Sequence, residues 1–137
     1  MDRFYVEPEV AGSLGPATDL DTSTHPPVVR RLEYRMEGWL GDCLLESFPV
    51  FVVTEEARRA IKAAGLSGAA FDTVTITVSP DFMSAKAKDG ALPAFAWLKP
   101  AKDGDIATAP DGRLLLSQRA LDVLKPLGLA NAEIEPA

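Results

Sequence analysis

Few residues in this sequence could take part in acid–base or nucleophilic chemistry, and they are scattered. The only histidine, His25, stands before two prolines, and the only cysteine, Cys43, lies close to Asp42 and Glu46. Negative neighbours raise the pKa of a thiol, so we expect Cys43 to be a buried core residue rather than a nucleophile. A lone histidine beside prolines is more typical of a turn than of a general base.

Paired carboxylates could act as general acid and base, but the sequence does not single out one pair. Asp42 with Glu46 and Asp72 with Asp81 are the candidates. The chain has no glycine-rich phosphate loop, no Gly-x-Ser-x-Gly elbow and no His-Glu-x-x-His motif. One cysteine also excludes internal disulfides and cysteine-rich metal sites. We therefore expect no metal and no cofactor, and binding rather than catalysis.

The acidic residues are concentrated in the first part of the chain. The net charge is −6, and residues 1–50 hold nine acidic residues against four arginines. Phosphate backbones and anionic lipids repel such a protein, so nucleic acid and membrane are poor partners. The acidic half could steer a cationic protein partner towards the molecule, or it could serve only solubility.

The composition indicates one globular domain in the cytoplasm. The 137 residues are 47% hydrophobic and 25% charged, and they suffice for one sizeable core. No apolar run is long enough to cross a bilayer. The opening "MDRFYVEPEV" lacks the pattern of a signal peptide.

Alternating and apolar runs predict several strands. The run "RFYVEPEV" predicts a first strand, which Pro8 places at a sheet edge. Residues 11–27 are predicted to form a long loop because they are rich in Gly, Pro, Ser and Thr. Apolar residues at 32, 34 and 36 predict a half-buried strand, and residues 49–53 a short buried one.

A second group of elements follows the middle of the chain. We expect a strand over 71–78, then one or two helical turns from Ser79 and Pro80. The run "ALPAFAWLKP" predicts a strand with Phe95 and Trp97 on one face, and "AKDGDIATAPDG" a loop.

Two stretches of the chain follow the same plan. The first, "VVTEEARRAIKAAGLSG", and the second, "LLSQRALDVLKPLGLAN", each have an apolar strand, a hydroxyl N-cap, a helix and a Gly-Leu stop. We predict helices near 55–64 and 118–127 and a strand after each one. Residues 51–78 and 114–135 thus form repeated strand–helix–strand units.

The repeat predicts the fold class. Neither unit can bury its apolar helix face alone, so we expect both helices to pack on one common sheet. The expected fold is α+β, with a mostly antiparallel sheet and two helices from the repeated unit.

Three stretches carry a resemblance to known proteins: the run from His25 to "DCLLESFPVFVVTEEARRAIKAAGLSG", then "LPAFAWL" and "DGRLLLSQRALDVLKPLGL". Together they resemble a group of small bacterial proteins of uncharacterised function. They are similar to toxin-immunity-like families with a "VTE/VSE–helix–Gly-Leu" module and to relatives of the double-CXXCG proteins. The resemblance implies an immunity role. The cysteine pairs of the CXXCG relatives are missing, so no zinc site is implied.

Two functions from different classes remain open. The first is a non-enzymatic, immunity-like protein that neutralises a cationic toxin domain. The second is a small-molecule-binding protein or small enzyme of specialised metabolism, with a pocket of aromatic residues polarised by Asp42 or His25. Trp39 and Trp97 fit an interface or a core. The candidate binding residues are His25, Tyr34, Trp39, Asp42, Glu46 and Trp97. Phe95 is a further candidate for the lining of the aromatic pocket.

Overall fold

The computed structural model describes residues 2–84 and 92–137. The strands within them are β1 (Arg3–Glu7), β2 (Gly12–Leu14), β3 (Asp19–Asp21), β4 (Val28–Arg31), β5 (Glu33–Trp39), β6 (Leu44–Ser47), β7 (Val50–Thr54), β8 (Ala69–Asp72), β9 (Thr75–Ser84), β10 (Phe95–Pro100), β11 (Ile106–Thr108), β12 (Leu114–Ser117) and β13 (Glu133–Pro136). The helices are α1 (Glu55–Ala63) and α2 (Gln118–Gly128). The predicted α+β class, with mostly antiparallel sheets, is confirmed.

Three sheets and a hairpin organise these strands. Sheet A has the order β11-β12-β1-β13, and sheet B the order β6-β7-β10-β8. Sheet C is β2-β5-β9, in which β5 and β9 are parallel, and β3 pairs with β4 in the hairpin. One common sheet for both helices was the expectation, and it is wrong because each helix follows a strand of a different sheet.

Sheets A and B share one pattern of pairing. In sheet B, β10 lies between β7 and β8 and is antiparallel to both. In sheet A, β1 lies between β12 and β13 in the same way. The cross-strand pair Trp97–Val52 in sheet B is equivalent to the pair Tyr5–Leu115 in sheet A. The sequence separation between Val52 and Leu115 is the same as that between the first repeat and the second. Each helix is therefore flanked in sequence by two strands that a third strand separates in the sheet, and the first such unit ends with β8 at Asp72 rather than at the predicted residue 78.

Local signals define both helices. The Thr54 hydroxyl accepts from Ala57 N at 3.2 Å, and the Ser117 hydroxyl accepts from Ala120 N at 3.1 Å. These N-caps satisfy backbone donors that have no partner inside the helix. Gly65 (φ +65°) and Gly128 (φ +124°) adopt the positive φ angles predicted for the helix stops.

The main core lies between sheets A and B and the two helices. Its buried members include Phe51 and Val53 from sheet B, Leu114 and Leu116 from sheet A, and Ile61 from α1. Cys43 belongs to this core, as predicted. Because one core holds both helices and both sheets, the two repeats pack as one body.

A second core covers the other face of sheet B. There Val52 and Trp97 pack against Tyr34 and Met36 of sheet C. The period-two pattern that predicted a half-buried strand at 32, 34 and 36 is confirmed by β5. Phe95 also packs on this core, so it shares a face with Trp97 as predicted.

Five other sequence predictions are wrong. β1 is a central strand, because Pro8 follows its last residue and removes no ladder donor. The expected loop 11–27 contains β2 and β3, and the expected loop "AKDGDIATAPDG", residues 101–112, contains β11. The expected strand 71–78 is divided between β8 and β9, which lie in different sheets. Residues 79–84 extend β9 rather than start a helix, and the rest of that predicted helix lies outside the described residues.

Candidate functional site

Tyr34 is a structural core residue in this fold. It is fully buried, and its hydroxyl accepts from Ala11 N at 3.0 Å and donates to the Glu46 backbone oxygen at 3.0 Å. Burial raises the pKa of Tyr34 to about 12, so its hydroxyl stays protonated. It bridges β6 and the segment before β2.

Trp39 and Asp42 are also buried. Trp39 Nε1 donates to the Asp42 backbone oxygen at 2.9 Å, and its ring meets Phe95 edge to face at 5.7 Å. The Asp42 carboxylate accepts from Asn131 N at 2.9 Å and from Asn131 Nδ2 at 3.0 Å. Asp42 thus ties the start of β6 to the loop after α2.

The remaining predicted residues are more accessible or lie elsewhere. His25 is exposed in the turn before β4, with its ring 6.0 Å from that of Phe48. Glu46 is half-buried on the edge strand β6. Trp97 lies in the second core, and its ring contacts Lys99 Nζ at 4.2 Å from the centroid. The four aromatic residues expected to line a pocket all pack in or against the second core, and Trp97 also lines a cleft beside sheet B.

A different surface brings carboxylates together on the outer face of sheet A. Val6 of β1 points into the main core, so Tyr5 and Glu7 point away from it. Tyr5 faces Glu135 across the strand pair, and Glu7 faces Glu133. Residues directly opposite in an antiparallel pair share a face. We call Tyr5, Glu7, Glu133 and Glu135 the acidic face, and its three glutamates are exposed.

Electrostatic repulsion is built into the acidic face. Like charges placed opposite each other, as at Glu7 and Glu133, destabilise a strand pair. Glu46 lies beside this surface: burial, and then repulsion from Glu7, raise its pKa from 4.5 to about 7. Glu7 and Glu133 therefore repel each other in the free protein, whereas the nearby guanidinium of Arg113 attracts Glu135.

The arginines near the acidic face already have partners. Arg113 lies over the Tyr5 ring at 3.8 Å, with its Nε 2.8 Å from Asp111 Oδ2. Arg3 forms an ion pair with Asp103. Within residues 2–84 and 92–137, no ion pair involves Glu7, Glu133 or Glu135.

The two sheets differ in what covers their outer faces. Trp97 of sheet B, the equivalent of Tyr5, lies beneath sheet C in the second core. Leu115 and Ala107 of sheet A are buried but belong to neither core. Because Leu115 and Ala107 are themselves buried, the accessible part of this outer face consists of Tyr5 and the charged residues around it.

Sequence reasoning missed Glu133 and Glu135 because it treated the last strand only as the end of a repeat. Their alternation around Ile134 could have indicated a two-faced strand. Their proximity to Glu7 had no sequence signal, since it depends on the pairing of the first and last strands.

The described part of the chain contains no cluster of three or more His, Cys, Asp or Glu residues suited to a metal ion. None of its helices combines the length and apolar character needed to cross a membrane. In sequence comparisons, neither a family model nor a curated protein matches this chain.

Proposed function

We propose that this protein is a non-enzymatic binding protein whose acidic face docks a cationic protein partner. The observation that carries the proposal is the placement of Glu7 opposite Glu133 on an exposed sheet face. A partner that brings lysine or arginine to this face would relieve a repulsion that the free protein sustains.

The kind of partner follows from the shape and charge of the face. Tyr5 lies half-buried under Arg113 at the centre of this face, and Tyr and Arg are common interface anchors. The three surrounding glutamates select positive charge. We propose a basic protein domain, and the resemblance from His25 onward suggests a toxin domain that this protein neutralises as an immunity-like protein.

Association kinetics test this proposal. A partner is first captured from the native host or taken from the product of an adjacent gene. Its association with the protein is then measured at low and physiological salt. We expect the association rate to fall as salt rises, because ions screen exposed charges. The double variant Glu133→Lys/Glu135→Lys should associate about tenfold more slowly than the unaltered protein at low salt.

A matched variant separates the acidic face from net charge. Glu37→Lys/Glu56→Lys makes the same change of charge at two exposed residues outside this face. We expect it to slow association much less. Equal effects of the two double variants would contradict the acidic face as the docking site, and a salt-independent rate would contradict a cationic partner.

A further inference from the structure

A cleft of about 700 Å³ lies between sheet B and the β11–β12 turn. Its walls come from the turn before β4, the start of β7, the strand β10, and Thr108, Ala109, Pro110 and Gly112. Five of the lining residues are prolines: Pro26, Pro27, Pro49, Pro100 and Pro110. This cleft shares no residue with the acidic face.

The cleft has a rigid and mostly apolar wall. Proline has no backbone N–H and a fixed φ, so these five residues offer little hydrogen bonding and lose little freedom when a ligand binds. Val50, Phe51 and Trp97 add apolar surface. A volume of this size is typical of small-molecule sites.

The charged residues of the cleft are both cationic. They are Lys99 and Lys102, in a protein whose net charge is −6. Lys99 Nζ is 2.9 Å from Asp72 Oδ2, so Asp72 offsets its charge. Lys102 is exposed and has no ion pair within residues 2–84 and 92–137. The charge that is left over at the cleft is therefore positive.

We propose that this cleft binds a small amphipathic organic anion, with its apolar body against the prolines and Trp97 and its carboxylate or sulfonate near Lys102. The apolar walls exclude a strongly hydrated ion such as phosphate, and Lys102 selects a negative head group over a neutral one. The proposal is independent of the acidic face and its protein partner.

The test uses a matched pair of fluorescent probes on the full chain. The anionic probe is 8-anilinonaphthalene-1-sulfonate, and the neutral probe is N-phenyl-1-naphthylamine. We expect the anionic probe to bind more tightly. Backbone amide NMR shifts should locate it at Thr108, Ala109 and Gly112, which line the cleft. Shifts confined to other parts of the chain would overturn the proposal.

Three variants separate charge from shape. Lys102→Glu should weaken binding of the anionic probe about fivefold and leave the neutral probe unchanged. Ala109→Trp should fill the cleft and weaken both probes. Lys125→Glu, an exposed residue of α2, should change neither. Loss of both probes to Lys102→Glu, or no effect of that variant on either, would overturn the anion selectivity and with it the proposal.

The backbone amide shifts are measured on the unaltered protein, so the location of the site does not depend on whether Ala109→Trp folds. If that variant binds the anionic probe as the unaltered protein does, while its own amide spectrum remains native, the cleft is not the site.

Discussion

At the scale of single residues, Asp42 has a role different from that of a surface acid. Its carboxylate is buried and accepts two hydrogen bonds from Asn131, which is distant from it in the sequence. Reversing its charge would leave a buried cation without a partner, which costs several kcal/mol. Asp42 is therefore a poor choice for a test of association, whereas the exposed Glu133 and Glu135 suit that test.

Glu46 supports a prediction about pH. Its folded pKa of about 7 lies above the usual 4.5, so the unfolded chain loses this proton first as pH rises. Ionised Glu46 therefore destabilises the folded state progressively between these two values, and not at lower pH. We expect Glu46→Gln to gain stability relative to the unaltered protein from pH 4 to pH 8, as measured by urea unfolding.

The matched control for Glu46 is Glu56→Gln. Glu56 is an exposed residue in the first turn of α1, without the burial that perturbs Glu46. Glu56→Gln should therefore not reproduce the gain in stability with rising pH that we expect of Glu46→Gln. A difference for Glu46→Gln that stays constant with pH would show that this carboxyl titrates normally.

At the scale of elements, the two helix stops place different demands on glycine. A Cβ built at Gly65 meets nothing closer than Arg119 Nη2 at 3.9 Å, so only the positive φ opposes a side chain there. At Gly128 the Cβ would approach the Gly41 oxygen at 3.2 Å, and φ is +124°. We expect Gly65→Ala to cost about 1 kcal/mol and Gly128→Ala to cost more. Urea unfolding of both variants checks this order, and an equal or reversed cost would contradict it.

These helix signals explain how much of the fold was predictable. Caps, stops and the alternation around Tyr34 act over a few residues, so the sequence predicts α1, α2 and β5 closely. The place of β1 between β12 and β13 depends on residues more than a hundred positions apart. No local pattern encodes such a pairing, and the common sheet was wrong for that reason.

The candidate site was predictable only in kind. The excess of acidic residues indicated a negatively charged binding surface, and Glu46 was among the residues proposed for it. The sequence did not show which acids share a face, because Glu7 and Glu133 meet only through strand pairing. The four aromatic residues of the pocket hypothesis pack in or against the second core, with Trp97 also lining a cleft, since large apolar side chains fill a core as readily as they line a cavity.

At the scale of the whole molecule, the repeats exchange strands. β1 precedes the first repeat in the chain but pairs in sheet A with the strands of the second repeat. β10 precedes the second repeat but pairs in sheet B with the strands of the first. Asp105, which lies between the two repeats in the chain, also links them: its carboxylate accepts from Ser67 N at 3.0 Å and from the Ser117 hydroxyl at 2.7 Å. Each sheet therefore contains a central strand, β1 or β10, that the chain connects directly to the repeat of the other sheet.

This exchange predicts that sheets A and B unfold together. Val6 of β1 and Leu98 of β10 occupy equivalent buried positions and belong to the same core. Val6→Ala should cost about 2 kcal/mol, because it leaves a cavity where both sheets meet. If unfolding is cooperative, the slowest-exchanging amides of the two sheets should lose equal protection in native-state hydrogen exchange. Leu98→Ala should show the same equality with a larger loss. Protection lost only in sheet A for Val6→Ala, and only in sheet B for Leu98→Ala, would mean that each sheet opens separately despite the exchanged strands.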